Sequence, residues 1–229
     1  RAQPDEYAKR ITHLDNNTAL LLNGKKGGYY RVSLSPSENA WVKAENIVTY
    51  STVNGKLLAQ ATGVKLDEDG LFNYIKTDLT YQVPYKITET ENGLRLDLYN
   101  ISKNPADTMM FKTSGNLKSL AINTIESDNL STYFIETQDK LWGYNAYYEG
   151  NTLVLKIRKT PQINLKEPLN GIKVTIDAGH GGDCDDGAIG PTGVKEKDIN
   201  LNIAKKLQQV LIEQGADVVM TRTDDTAVD

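Results

Sequence analysis

His180 and Glu196 are the residues around which chemistry is most readily built. His180 lies in Asp177-Ala-Gly-His-Gly-Gly, and Glu196 follows it by sixteen positions. An imidazole and a carboxylate brought to one crevice can ligate a metal or move a proton. The glycines between them, Gly181, Gly182, Gly187, Gly190 and Gly193, let backbone and ligand approach closely. Taken singly, His180 reads as a hydrogen-bonded loop residue and Glu196 as a first-turn carboxylate favoured by the helix dipole. Asp183, Asp185 and Asp186 lack the full spacing of a calcium loop and read as solvated loop acids. Cys184 reads as a bystander within reach of the same region.

The elements that must position this pair follow from hydropathy. Ile172, Val174 and Ile176 mark a short β run that ends at Asp177. From Glu196 the period becomes helical, with Ile199, Ile203, Leu207, Val210 and Leu211 on one face. Gly215 ends that helix, and Ala216-Asp-Val-Val-Met-Thr-Arg resumes a strand. Strand–loop–helix–strand normally places two parallel strands side by side with the helix across them. Chemistry in such sheets sits beyond the carboxyl ends of the strands, where His180 falls. A phosphate-binding loop is rejected, because neither Gly-x-Gly-x-x-Gly nor Gly-Lys-Ser/Thr is present and the loop is acidic.

Ile176-Asp-Ala-Gly-His-Gly-Gly, Gly187-Ala-Ile-Gly, Glu196-Lys-Asp and Met220-Thr-Arg, in that order, closely resemble the opening of a zinc-dependent N-acetylmuramoyl-L-alanine amidase catalytic domain of the type-3 family. The resemblance runs from about Gly171 to Asp229. It implies that His180 and Glu196 are zinc ligands and that the substrate is peptidoglycan. Asp177 is expected to orient the glycine loop or a ligand, and Arg222 to contact substrate carboxylate or pair with Asp224. Ala178 stands where the family has proline, and the acidic insert at Asp183 is about one residue longer than usual. The family's third ligand, a histidine, and its catalytic glutamate are expected beyond Asp229, so no catalytic residue is assigned within this chain. The other histidine, His13, matches no motif. Zinc is therefore expected to be weak or absent here.

The chain has 229 residues, 39% of them hydrophobic, enough for one to three domains. A net charge of −4 provides no basic field for nucleic acid. No run reaches the ~18 apolar residues of a membrane helix. The single cysteine excludes an internal disulfide framework. The opening Arg1-Ala-Gln-Pro carries no signal peptide and suits a trimmed or processed segment.

Upstream, Tyr29-Tyr-Arg-Val, a turn, then Ala40-Trp-Val and Ile47 resemble the second half of a bacterial SH3-like module. Turns are expected at Asn23-Gly24, Gly27-Gly28 and Ser35-Pro36-Ser37. Trp41 is expected in the core. Residues 52–161 alternate with period two, with hairpin turns at Glu91-Asn92-Gly93 and Glu149-Gly150-Asn151, which predicts a sandwich. The run from Trp142 to Arg158 is similar to the last hairpin of amidase N-terminal (AMIN-like) domains. The expected architecture is mainly β modules, an SH3-like barrel (whole or partial) over 1–50 and an AMIN-like sandwich over 51–162. A linker over 163–169 and an incomplete α/β amidase portion over 170–229 complete it. The expected function is a secreted, wall-associated peptidoglycan amidase. The alternative is a non-catalytic wall-binding module.

Overall fold

The computed structural model describes residues 1–12, 14–50, 57–106, 116–161 and 163–227; His13 lies outside them. Two compact units divide the chain, residues 1–160 and 161–229.

The first unit begins with an antiparallel sheet of β1 (Leu21–Lys26), β2 (Tyr29–Ser33) and β3 (Asn39–Lys43). Its first hairpin turns at Gly27-Gly28, where Gly27 has φ 55°. Asn23-Gly24 is not a turn. Register slips between Leu22 and Gly24, so Asn23 is a bulge inside β1. Its side chain accepts from Arg31 Nε at 2.8 Å and donates to Asn39 at 2.9 Å. Those cross-strand bonds satisfy Asn23 and keep the strand running through a sequence that reads as a hairpin. Trp41 also departs from expectation. It is half-buried on the wall of a cleft of about 510 Å³ shared with Arg10, Asn16, Asn17 and Lys43, while Val32, Leu34 and Ala40 form the core beneath.

The sandwich strands are β4 (Ala59–Glu68), β5 (Phe72–Leu79), β6 (Tyr85–Thr90), β7 (Gly93–Tyr99), β8 (Ile101–Lys103), β9 (Leu117–Ile125), β10 (Leu130–Thr137), β11 (Tyr144–Glu149) and β12 (Thr152–Arg158). One sheet has the order β6-β7-β10-β9 and the other β11-β12-β5-β4-β8. Alternation sends Leu94, Leu96, Leu98, Leu120, Ile122, Tyr133 and Ile135 inward from the first sheet. Ile75, Leu79, Leu153, Leu155 and Ile157 meet them from the second. Tyr99, at the end of β7, packs instead with Val32 and Leu34, and its hydroxyl donates to Glu38 at 3.1 Å. Shared packing of this kind joins the small sheet and the sandwich into one unit.

Tyr133 is fully buried, and its oxygen accepts from Thr77 Oγ1 at 3.1 Å and Asn104 Nδ2 at 2.9 Å. Burial is the main cause that pushes its phenol up to about 12. Burial also raises Tyr85, Tyr99 and Tyr148. The neutral phenol is favoured in the fold, so its contribution is complete below the unfolded value of about 10 and is lost as pH rises towards 12. The melting temperature is expected to fall across that window. Tyr133→Phe should melt lower at neutral pH and lose less between pH 10 and 12; an unchanged alkaline slope would remove Tyr133 as a contributor.

The second unit pairs β13 (Lys173–Ile176) with β14 (Asp217–Met220) in parallel, joined through α1 (Glu196–Glu213). The helix packs through Leu201, Ala204 and Leu211 onto Val174, Ile176, Val218 and Met220. Of the apolar face expected from periodicity only Leu211 packs there. Ile199, Ile203, Leu207 and Val210 are exposed, Ile203 by 59%. Gly215 has φ 89°, and a Cβ there would lie 3.0 Å from Glu167 Cβ. Leu169 N–H donates to Gln214 O at 2.9 Å, so the end of the expected linker is a turn stacked on the end of α1.

Candidate metal centre

β13 ends at Ile176, and the chain turns sharply beyond it. His180 adopts a left-handed φ of 63°, a conformation uncommon outside glycine. Hydrogen bonds hold it there. Gly181 N–H donates to Asp185 O at 3.0 Å, and His180 Nδ1 lies 2.8 Å from Asp185 Oδ1. A carboxylate oxygen accepts here, so in the neutral imidazole this partner favours the proton on Nδ1 and the lone pair on Nε2. The same Asp185 oxygen accepts Gly187 N–H at 3.2 Å.

Glu196 opens α1 without a side-chain cap. The loop supplies the missing acceptors instead: Glu196 N–H donates to Ala188 O at 2.9 Å and Lys197 N–H to Asp186 O at 3.2 Å. Ala188 N–H returns a bond to Glu196 Oε2 at 2.8 Å. Loop and helix start are therefore one hydrogen-bonded piece, which brings Glu196 Oε2 to 3.5 Å from His180 Nε2. The Asp185 hydrogen bond is the main cause that raises the His180 pKa, and Glu196 adds to it.

This pair fits zinc in donor type and spacing. Two ligands at ~2.0–2.1 Å from a tetrahedral zinc lie about 3.4 Å apart. A carboxylate on the imidazole's other nitrogen is the usual device that fixes a ligating histidine's tautomer. Gly187 leaves room between the two side chains. Among the described residues, no group of three or more His, Cys, Asp and Glu is placed to hold a metal, and Cys184 is exposed and free. Two side chains of types able to ligate a metal are thus brought together here.

The remaining candidates are placed clearly. Asp177 Oδ1 accepts from Thr221 Oγ1 at 2.8 Å, which ties the ends of β13 and β14 rather than His180. Arg222 is 3% exposed and points inward. It donates to the carbonyls of Ala178 at 2.7 Å, Gly179 at 3.3 Å, Lys197 at 2.9 Å and Asp224 at 2.9 Å. It braces the backbone before His180, and its partner at Asp224 is the carbonyl, not the carboxylate. The loop acids are not simply solvated. Asp185 holds His180, and Asp186 pairs with Lys195 and Lys197, both at 2.9 Å, while Asp183 stays exposed.

Sequence reasoning read Asp185 as a solvated loop acid and passed over Lys197. A signal for Lys197 existed: it precedes Leu201 by four residues, Ala204 by seven and Leu211 by fourteen, which puts a lysine on the packed stripe of α1.

Residues 174–229 match the family model of N-acetylmuramoyl-L-alanine amidase. The whole chain is similar to the putative N-acetylmuramoyl-L-alanine amidase YrvJ of Bacillus subtilis, 26% identical over 228 residues, covering 100% of this chain and 40% of that protein. A shorter stretch is 52% identical over 65 residues to the probable cell wall amidase LytH of Staphylococcus aureus, covering 28% of this chain and 22% of LytH. The chain spans less than half the length of either relative. The family match takes in β13 from Val174 on, the glycine loop, α1 and β14, so His180 and Glu196 lie inside it.

Proposed function

We propose that residues 170–229 carry the first part of the active centre of a zinc-dependent N-acetylmuramoyl-L-alanine amidase acting on peptidoglycan outside the cell. The observation that carries this reading is His180 Nε2 set 3.5 Å from Glu196 Oε2, with Asp185 on the far nitrogen of the ring. That arrangement lies inside a segment matching the amidase family.

Zinc, when bound, polarises an amide carbonyl and makes water acidic enough to attack it near neutral pH. His180 and Glu196 are the residues of this chain that hold it. Asp185 keeps the imidazole proton on Nδ1 and so leaves Nε2 free to bind. Arg222 and the glycines shape the loop. The His180 and Glu196 side chains are 36% and 42% exposed, so the site opens at the surface, as a polymeric substrate requires. The reaction breaks the bond between the lactyl carbonyl carbon of N-acetylmuramic acid and the nitrogen of L-alanine. Hydroxide adds to the carbon and a proton to the nitrogen. The family resemblance implies a third ligand and a glutamate for that proton transfer, neither of which is assigned within this chain.

The test is release of new L-alanine amino groups from purified peptidoglycan with zinc, without new reducing sugar ends. It is run on the protein in its full reading frame, because no catalytic residue is assigned within this chain. His180→Ala should abolish the release and chelator should suppress it. New reducing ends, or release that survives His180→Ala, would overturn the proposal.

A second reading concerns residues 1–160 and is favoured by the half-buried Trp41 in its cleft with Arg10, Asn16, Asn17 and Lys43. These residues hold wall polymer independently of the metal centre. Trp41→Ala should then reduce co-sedimentation of the whole chain with insoluble wall while His180→Ala leaves it unchanged. Equal binding by the Trp41 variant would sink this reading.

A further inference from the structure

Lys197 takes no part in the scheme above, yet it is only 5% exposed. A buried ammonium is tolerated when all its donors are satisfied. Here three acceptors converge on Nζ: Gly182 O at 2.8 Å, Asp186 Oδ1 at 2.9 Å and Asp225 Oδ2 at 2.8 Å. The other Asp225 oxygen accepts Gly182 N–H at 2.9 Å. A closed ring results, running from Gly182 N–H through the Asp225 carboxylate and the Lys197 ammonium back to Gly182 C=O. Both polar groups of the residue two places after His180 are held by it.

The ring also ties three segments of chain. Asp186 belongs to the loop between the two candidate ligands, Asp225 to the segment after β14, and Lys197 to the first turn of α1. Successive residues on a helix point about 100° apart. Glu196 can therefore face the crevice while Lys197 reaches beneath the loop. Packing closes the same joint: a Cβ on Gly182 would lie 2.9 Å from Ala227 N. Any shift of the ammonium would move the loop that carries His180 relative to the turn that carries Glu196.

We propose that Lys197 is a positioning residue for this centre, setting the His180–Glu196 separation through its ring with Gly182, Asp186 and Asp225. The inference rests on the zinc reading above. Charge alone predicts the opposite sign, since a nearby cation repels Zn²⁺ and its removal should tighten binding. Positioning predicts that removal weakens it.

The test is zinc titration of wild type, Lys197→Met and Asp183→Asn, followed through the imidazole ¹H–¹⁵N resonances of His180. Melting of the metal-free proteins is measured alongside. Lys197→Met is expected to bind zinc at least ~10-fold more weakly, the range found when residues supporting metal ligands are lost. Asp183→Asn, which alters an exposed loop acid outside the ring, should match wild type. Binding by Lys197→Met as tight as wild type, or tighter, overturns the proposal. If Lys197→Met does not fold, Asp225→Asn opens the same ring with a neutral amide and is held to the same criterion. A wild type showing no zinc-dependent shift at His180 means that these two side chains alone do not hold zinc in this chain. The metal-free spectra then decide: loss of the protected Nδ1–H signal in Lys197→Met supports a positioning role, and its retention overturns one.

Discussion

Replacing Gly187 by alanine is expected to weaken zinc binding by about 100-fold, the upper end of what disturbing a metal ligand's support does. Gly187 has φ 65°, where an L side chain is strained. The larger effect is steric. A Cβ at this position would lie 2.8 Å from Glu196 Cβ, 2.8 Å from Glu196 Oε2 and 2.8 Å from His180 Cδ2. The methyl group would enter the gap between the two candidate ligands. Neither neighbour yields easily, because Glu196 is held by Ala188 N–H and His180 by Asp185. The pair must open, and any metal held between the two would be bound more weakly. Calorimetric zinc titration of the folded variant checks this. Wild-type affinity in Gly187→Ala would mean that the ligand pair is not built as described.

Leu155→Ala is expected to produce the largest loss of stability. Leu155 is fully buried in β12, an interior strand that pairs with Ala146 of β11 on one side and Ile75 of β5 on the other. Its side chain belongs to the core between the two sheets, which also holds Leu96 and Tyr133. Truncating such a leucine costs about 2–5 kcal/mol, because transfer energy is lost and the flanking strands cannot collapse into the void. A domain has only about 5–15 kcal/mol in total. Denaturant melts should show the midpoint falling with an unchanged slope. A loss under about 1 kcal/mol would mean that the sheets repack around the cavity.

Much of the β architecture was legible because it depends on local pattern. The hairpins at Glu91-Asn92 and Gly150-Asn151 carry turn residues between alternating runs, and β6, β7, β11 and β12 flank those turns in the structure. Asn23-Gly24 shows the limit of that reasoning. The same dipeptide makes a turn or a bulge according to what its side chain meets, and Arg31 and Asn39 come from other strands. The helix shows it again. Its sequence carries apolar residues on two faces, and periodicity cannot say which one a sheet will cover. Leu201, Ala204 and Leu211 meet the sheet, while Ile203 and Leu207 do not.

By itself the sequence determined the alternating sandwich strands, the strand–loop–helix–strand order, and His180 and Glu196 as the residues to examine. Those features depend on residue type and spacing along the chain. Only the tertiary structure decided which groups support them. Asp185 on the imidazole, Lys197 closing the ring at Gly182, and Arg222 turned onto backbone carbonyls rather than outward all depend on where a hydrogen-bonding direction ends in space. Burial forces the donors of Lys197 and Arg222 to be matched. The partners that match them come from segments up to 44 positions apart, as Arg222 and Ala178 do, and that distance no local pattern reads.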